Sequence, residues 1–173
     1  MTDGHQADPN CGGVPPSEVL VTGKVMSGSA KASRKMPRFM EELRVLTGLE
    51  LVPGTLNVRL TRPLQLRGAI PWKGWGYPAS LCPAVFLSKR VYIYRYKGMS
   101  PDRIEILSDI PLRKTHCLHD GDRVGVSIPS KHVASADLAT WMSWFAHRAF
   151  DVLMPSSWKA KAAQFRGPYG GDR

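Results

Sequence analysis

Apolar and polar residues alternate along several short segments of the chain. The clearest case is P-G-T-L-N-V-R-L at residues 53–60, where a turn dipeptide precedes the alternation. Because successive side chains of a β-strand point to opposite faces, Thr55 and Asn57 would share one face of a strand. The aliphatic residues between them would share the other face. The pattern therefore predicts a strand over 55–60 with one buried face.

Similar patterns predict five further strands and the loops between them. The predicted strands cover residues 19–26, 82–87, 90–96, 104–107 and 123–128. Residues 61–80 are rich in Pro, Gly and Trp and predict a long loop with short extended pieces, whereas residues 27–35 predict a small basic loop. Residues 112–118 are ambiguous, and H-D-G-D at 119–122 predicts a turn.

An amphipathic helix is predicted between the first two strands, over residues 37–47. Apolar residues recur there at helical spacing, at Phe39, Met40, Leu43 and Leu46. Pro37 suits the first turn of a helix, and Gly48 suits a C-terminal stop, so these two residues set the predicted bounds.

A second helix, rich in aromatic residues, is predicted over residues 136–154. Helical spacing brings one set of apolar residues to a single face, at Leu138, Trp141, Phe145 and Ala149. Three more residues widen that face, Trp144, Phe150 and Met154. We expect this face to pack on the rest of the domain in preference to a membrane or a partner helix.

Six short strands and one early helix predict a mainly β fold. The expected architecture is a small barrel with a short α insertion and an added C-terminal helix. The predicted organisation is a polar, flexible N-terminal tail over 1–18, the barrel over 19–129, and a helical extension with a polar tail over 130–173.

The net charge of the chain indicates which kinds of molecule it could bind. The chain has 173 residues, with 24 Lys and Arg against 14 Asp and Glu, which gives a net charge of +10. A basic excess of this size favours anionic partners such as nucleotides, RNA, DNA or acidic membrane surfaces. The charge does not choose among them, because all of these partners carry phosphate groups.

Cysteine usage and hydropathy indicate the compartment. Cys11, Cys82 and Cys117 are widely spaced and form no C-x-x-C pair, which argues against a cysteine zinc site and for reducing surroundings. Residues 1–18 contain no apolar core of a signal peptide, and no apolar run approaches the roughly 20 residues that span a bilayer. We therefore expect a cytoplasmic protein without a membrane partner.

Thr55 and Asn57 together suggest a chemistry. Both side chains offer neutral oxygen ligands, which suit a hard cation that keeps several waters and also touches a phosphate. On its own this motif is weak, because Thr and Asn at the entrance of a hairpin also satisfy local backbone groups. The neighbouring segments have to decide between the two interpretations.

Two blocks of sequence give the motif a context. The first is G-K-V-M-S-G at 23–28 followed by G-T-L-N-V-R-L at 54–60. The second is I-E-I-L-S-D-I-P-L-R at 104–113 followed by L-H-D-G-D-R-V-G-V-S-I at 118–128. In this order and at this separation, the two blocks resemble the archaeal-type CTP-dependent riboflavin kinases. The resemblance covers about residues 19–128 and neither the tails nor the aromatic helix.

The resemblance implies a fold and an activity. The expected fold is a six-stranded cradle-loop (RIFT-type) barrel, and the expected reaction transfers the γ-phosphoryl of CTP to the 5′-hydroxyl of riboflavin, giving FMN and CDP. The Thr and Asn of the family's G-T-L-N motif hold Mg²⁺, and they match Thr55 and Asn57. Phosphoryl transfer needs a positioned cation and donors that spread developing charge, which agrees with this assignment.

The resemblance also assigns a phosphate-binding loop. It matches the stretch Gly28, Ser29, Ala30, Lys31, Ala32 and Ser33. Ala30 and Ala32 stand where the family has glycines, and alanine resists the positive φ that lets backbone N–H groups approach a phosphate. Lys31, Arg34 and Lys35 offer positive charge in compensation. The alternative is a basic loop without a ligand.

The base and the acceptor are assigned in the same way. The cytidine-contacting segment of the family matches Ile110, Pro111, Leu112 and Arg113, whose backbone groups can read a base edge, while Arg113 is otherwise an ion-pair residue. Glu105 matches an acidic residue on the flavin side, where a carboxylate can orient the acceptor hydroxyl or take its proton. The alternative for Glu105 is an outward-facing strand residue. Lys97 stands near the place of a flavin-binding threonine.

Other interpretations remain open at this point. Asp120 and Asp122 favour a tight turn over a metal site. Trp72 and Trp75, in W-K-G-W-G-Y, either stack on a ring or fold onto the core. The alternatives to a riboflavin kinase are a nucleic-acid-binding module, a non-catalytic nucleotide-binding module and a kinase of another small alcohol. A steep loss of affinity with salt would distinguish a binder that tracks phosphates. The sequence does not indicate an oligomeric state.

Overall fold

The structure, a computed structural model, describes residues 17–28, 31–73 and 76–153 and contains a closed antiparallel β-barrel. The strands are β1 (Glu18–Met26), β2 (Leu56–Leu60), β3 (Gln65–Leu66), β4 (Ile70–Trp72), β5 (Ala79–Phe86), β6 (Lys89–Tyr96), β7 (Arg103–Leu107), β8 (Arg123–Pro129) and β9 (Val133–Ala134). The helices are α1 (Lys31–Lys35), α2 (Met40–Thr47), α3 (Leu112–Thr115) and α4 (Leu138–Leu153).

The barrel contains the six strands that the sequence predicts. Their order is β5-β6-β7-β2-β1-β8, and pairing of Val85 with Ser127 joins β8 back to β5. β4 extends the sheet from β5 as an extra strand, and β3 pairs with β9. The mainly β prediction, with a helical insertion and a C-terminal helix, is confirmed.

Alternate residues along each strand point into the barrel and form its apolar core. Leu56, Val58 and Leu60 of β2 are almost fully buried in a core that also receives Ile104 and Ile106 of β7. Asn57 and Arg59 lie between the buried residues of β2 and point to the opposite face. The face assignment predicted for residues 55–60 is therefore confirmed, with the strand itself beginning at Leu56.

A second apolar cluster forms outside the barrel, beneath the helical insertion. Met36 and Leu43 from the insertion pack there with Trp72, Tyr92 and Tyr94. Tyr92 and Tyr94 face this cluster because they alternate with Val91 and Ile93, which fill the barrel. The insertion thus covers one side of the barrel.

The insertion contains more helix than the sequence predicts. The predicted helix is present as α2, preceded by a 3-10 turn at Met36–Phe39, and Gly48 ends it in the left-handed conformation with φ 67°. The loop prediction for residues 27–35 is wrong from Lys31 onward, where α1 forms. Lys, Ala and Arg are good helix formers, and continuation into the 3-10 turn and α2 supports a short helix that would be marginal alone.

Smaller differences concern turns and ends. The β5–β6 turn falls at Leu87 and Ser88, both with positive φ, one residue before the predicted position. The ambiguous segment contains α3, and β1 begins at Glu18, inside the predicted tail. Residues 1–16 of that tail and 154–173 of the C-terminal extension lie outside the described residues.

α4 contacts the barrel through its two charged residues, Arg148 and Asp151. None of its residues is buried, and Leu138, Phe145 and Ala149 of the predicted packing face are exposed. That face prediction is wrong for these three residues, whereas Trp141 and Trp144 are half-buried. Ion pairs determine the rotation of the helix. None of the described helices is long and apolar enough to cross a membrane.

The ion pairs of α4 offset the repulsion between two arginines on the barrel surface. Arg59 and Arg103 lie directly opposite each other on β2 and β7, an arrangement of like charges that destabilises a sheet. Asp151 of α4 pairs with both, at 3.5 Å from Arg103 and in a shorter contact with Arg59. Arg148 of α4 places its Nε 3.1 Å from Asp102. α4 is therefore held on the barrel by ion pairs in which Asp151 offsets the two arginines and Arg148 pairs with Asp102.

Asp102 is the buried member of this cluster, so its charge should matter for stability. Only 2% of its side chain is exposed, and it faces Arg59 and Arg148. Because Asp102→Asn leaves these guanidinium groups without that counter-ion, we expect a loss of about 3 kcal/mol in the free energy of unfolding. Urea titration at constant salt measures it.

The matched control is Asp109→Asn. Asp109 pairs with Lys89 at 3.3 Å, with over a third of each side chain exposed. Solvent screening limits such a pair to about 0.5 kcal/mol. Equal losses for the two variants would contradict a special role of the buried charge.

Candidate active site

One row of outward-facing residues crosses four barrel strands. Strand register places Met26 beside Asn57, Asn57 beside Glu105, and Glu105 beside Tyr94. These four residues share the outer face because their neighbours along the strands fill the barrel interior. Two predicted site residues, Asn57 and Glu105, are therefore cross-strand partners.

Thr55 joins the row from the turn that precedes β2. Its Oγ1 donates a hydrogen bond of 2.7 Å to Glu105 Oε2, and Asn57 Nδ2 lies 3.5 Å from the same Oγ1. Gly54 makes the turn possible, because its φ of 123° lies in a region that favours glycine. The structure thus brings Thr55, Asn57 and Glu105 into one cluster, although they come from separate motifs.

The two ends of the predicted phosphate-binding segment, Gly28 and Ser33, lie beside Asn57 and Gly54. A Cβ added at Gly28 would lie 2.4 Å from Asn57 Nδ2, so only glycine fits there without a shift. At the other end, a Cβ on Gly54 would lie 3.8 Å from the Cβ of Ser33. The Gly54 N–H donates to Met36 Sδ at 3.2 Å. These contacts fix both ends of the segment against the Thr55 turn.

The segment is shorter as a loop than predicted. Lys31, Ala32 and Ser33 belong to α1, so an open loop does not extend beyond residue 30. Ser29 and Ala30 lie outside the described residues. An alanine suits a helix, which gives a physical reason why Ala32 stands at a position where the resemblance leads to an expectation of glycine.

A cleft lies next to Thr55. Its volume is about 230 Å³, and its walls are residues 52–56, Ile106, Ser108 and residues 110–114. The predicted metal ligand Thr55 and the predicted cytidine segment Ile110–Pro111–Leu112–Arg113 therefore border the same space. Leu112 is itself buried in the barrel core and anchors the segment.

Arg113 connects this cleft with the beginning of the phosphate segment. Its Nη2 donates to the carbonyl of Met26 and to Asp120 Oδ1, each at 2.7 Å. Ser27 Oγ also donates to Asp120, and that bond, ahead of Arg113, holds the pKa of Asp120 below its usual value. Arg113 thus acts as an ion-pair residue that ties α3 to the end of β1.

The H-D-G-D segment forms the predicted turn. Asp122 accepts a hydrogen bond of 2.7 Å from the His119 N–H, and Gly121 has φ 96°. Among the described residues, no group of three or more His, Cys, Asp or Glu side chains is placed to hold a metal ion. A site built on Thr55 and Asn57 uses other ligand types.

Glu105 sits in a half-buried environment with aromatic neighbours. Burial raises the pKa of its carboxyl above the usual value, and the Thr55 hydrogen bond opposes that shift. Burial likewise raises the pKa of Tyr94, followed by its hydrogen bond with Tyr77. The rings of Tyr77 and Tyr96 meet edge to face at 5.4 Å between centroids. Glu105 therefore lies beside Tyr94, which belongs to a group of tyrosine side chains with Tyr77 and Tyr96.

The structure decides between the two interpretations for one of the two tryptophans in W-K-G-W-G-Y. Trp72 is 3% exposed and meets Phe39 and Tyr94 at 5.9 and 5.8 Å between ring centroids. It folds onto the core, which excludes the stacking alternative for this residue. Trp75 lies outside the described residues.

Sequence analysis missed Tyr94 and Tyr96 as aromatic residues on the strand next to Glu105. Their alternation with Ile93 and Arg95 was a usable signal, because it places both tyrosines on one strand face. The partnership of Ser27, Asp120 and Arg113 had no local signal, since 93 residues separate Ser27 from Asp120.

Comparison of the chain with protein-family models gave no match, and comparison with curated proteins gave none. A function for the chain is therefore inferred from the two sequence blocks and from the geometry that they adopt.

The raised pKa of Glu105 makes a prediction about stability. When the folded state raises a carboxyl pKa, the stability that this carboxyl contributes is fully present below the unfolded pKa of about 4.3 and is lost as pH rises through the folded pKa. We expect Glu105→Gln to be more stable than the parent at pH 7.5, beyond the roughly 0.5 kcal/mol scatter of surface substitutions. The difference should shrink toward pH 4.

Thr55→Val provides the paired measurement. It removes the hydrogen bond that favours the charged carboxyl, so it should destabilise the protein at pH 7.5 more than at pH 4. Thermal unfolding across this pH range tests both variants. A Glu105→Gln effect that is independent of pH would contradict the assigned environment.

Proposed function

We propose that the protein is a CTP-dependent riboflavin kinase. The observation that carries the proposal is the 2.7 Å hydrogen bond from Thr55 to Glu105. It joins the G-T-L-N block to the I-E-I block, the two segments to which the resemblance assigns the metal and the acceptor. Fifty residues separate them in the chain, so their meeting is a property of the fold.

The residues present fit a magnesium ion. Thr55 carries a hydroxyl, and a turn of the Asn57 amide would bring its oxygen beside that hydroxyl in place of Nδ2, while the neighbouring Glu105 supplies negative charge. Mg²⁺ is bound in such sites through few protein oxygens, with waters and substrate phosphates completing its shell. Thr55 and Asn57 would hold the ion, which when bound neutralises charge on the nucleotide phosphates.

The surroundings of Thr55 suit a nucleotide. Gly28 lets the backbone pass directly beside the amide of Asn57, so a phosphate bound at Asn57 would also lie near this backbone. The adjoining cleft extends from Thr55 to residues 110–113, where a base can meet backbone groups. Arg34 and Lys35 are exposed in α1, the helix whose Ser33 lies beside Gly54, and they add positive charge to it.

Glu105 is the proposed partner of the acceptor hydroxyl. In the proposed reaction the 5′-oxygen of riboflavin forms a bond to the γ-phosphorus, and the bond from that phosphorus to the bridging β–γ oxygen breaks. Glu105 orients the hydroxyl and accepts its proton, a role that a raised pKa favours. The half-buried rings of Tyr77 and Tyr96 provide an aromatic surface for the flavin ring.

A turnover assay tests the proposal. FMN formation from riboflavin with Mg²⁺ is followed by chromatography, with CTP and ATP compared as donors. We expect FMN with CTP, a loss of about 100-fold or more in kcat/KM for Thr55→Val and Asn57→Ala, and about 100-fold for Glu105→Gln. Thr61→Val, an exposed threonine outside the site, should retain the parent rate.

Two outcomes would contradict this assignment. Absence of FMN with both nucleotides, although CTP binds, would exclude riboflavin as the acceptor. Equal losses in Thr55→Val and Thr61→Val would exclude the role of the Thr55 turn. Isothermal titration with CTP and Mg²⁺ separates these cases, because it reports nucleotide binding without turnover.

Gly28 provides an independent test of the nucleotide side. In Gly28→Ala the new methyl group must displace the amide of Asn57. We expect kcat/KM with CTP to fall about 10-fold, which corresponds to about 1.4 kcal/mol of transition-state binding. Gly125→Ala is the matched control, because its methyl group would meet only the flexible end of the exposed Leu20 side chain. Similar rates for the two variants would argue against a nucleotide beside Asn57.

A further inference from the structure

α4 presents an apolar face away from the barrel. Five large side chains are 57–79% exposed, those of Leu138, Met142, Phe145, Val152 and Leu153. The other exposed residues of the helix are Ala139, Ala146 and Ala149, so every exposed residue of α4 is apolar. Its charged residues, Arg148 and Asp151, face the barrel in ion pairs. A contiguous apolar surface of this kind indicates an interaction site.

The spacing of this face favours another helix as its partner. Leu138, Met142, Phe145, Ala149 and Val152 follow one another at intervals of four, three, four and three residues. This is the heptad spacing of a seam between two helices, in which side chains interdigitate. The alanines beside the seam allow two helix axes to approach closely.

The pattern is also self-complementary. If a second α4 runs antiparallel about a two-fold axis between Phe145 and Ala146, Phe145 faces Ala146 and Met142 faces Ala149. Further out Ala139 faces Val152, and at the ends Leu138 faces Leu153. Each of the three inner pairs joins a large side chain to an alanine, and all eight exposed residues are used. An isologous two-fold contact requires this kind of self-complementary patch.

We propose that the outward face of α4 is a contact between two copies of the chain, paired antiparallel about this axis. A membrane surface fits less well, because an interfacial helix carries Lys and Arg along the border of its apolar face. In α4 the one arginine is engaged with Asp102 and lies over the Trp144 ring at 5.4 Å. The proposal is independent of the proposed kinase activity.

The oligomeric state of the full chain is the first test. A single helix pair is a small interface, so we expect a dimer Kd near 10 µM. Sedimentation equilibrium from about 1 to 200 µM spans this affinity. We expect Phe145→Glu to weaken dimerisation at least about 100-fold, because two buried carboxylates would meet near the axis. Val45→Glu, which changes a valine 74% exposed on α2, should dimerise like the parent.

Cross-linking tests the direction of the helices. In a Cys11→Ser, Cys117→Ser background, Ala146→Cys places two thiols near the axis and should give a disulfide-linked dimer on mild oxidation. Ala139→Cys should not cross-link, because antiparallel pairing separates its two copies by about 20 Å along the helix. Both changes are to exposed positions, and circular dichroism verifies folding.

Three results would overturn the proposal. They are a parent chain that remains monomeric up to the highest concentration, a Phe145→Glu variant that dimerises like the parent, and cross-linking through residue 139 in preference to 146. A monomer that binds vesicles of anionic lipid would assign the face to a membrane surface instead.

Discussion

The pairing of β2 with β7 in a closed barrel is the constraint on which the other features depend. Closure requires apolar side chains inside, so Val58 and Ile104 must point inward and their neighbours must point outward. The outward positions then form cross-strand pairs, and on these two strands the paired residues are polar or charged. Asn57 with Glu105 forms one pair, and the next outward pair along the strands consists of two arginines. The barrel thereby produces two polar patches on one face, about 7 Å apart.

The two patches are compensated in different ways. The arginine pair is neutralised by aspartates, one from α4 and the buried Asp102, so its charges are largely satisfied within the chain. Glu105 receives one hydrogen bond from Thr55, while burial disfavours its charge. A carboxylate left partly uncompensated beside two neutral oxygen donors gains from a cation or from a ligand hydroxyl. This asymmetry distinguishes the candidate site from the structural ion-pair cluster that lies next to it.

Much of this arrangement could be predicted from sequence, because it follows local rules. The period of two fixed the faces of β2, and Gly48 fixed the end of α2. The resemblance of the two sequence blocks assigned Thr55 and Glu105 to one site, although it did not predict the hydrogen bond between them. What could not be read locally depended on tertiary contacts: α1 gains stability from its continuation into α2, and Arg113 binds a partner outside its own segment. Apolar periodicity also misjudged α4, where nearly every face is apolar and ion pairs with the barrel decide the rotation.

The rotation of α4 has a physical consequence. A helix that turned its leucines and phenylalanine toward the barrel would bury more apolar surface, but it would leave Arg59 and Arg103 opposed without Asp151. The observed rotation satisfies these charges and leaves the apolar surface outside, which costs free energy in water unless another surface covers it. Pairing with a second α4 removes that cost without disturbing the ion pairs, because the two faces of the helix are separate. The arginine cluster and the self-complementary outer face are therefore two parts of one arrangement, in which the barrel orients α4 for assembly.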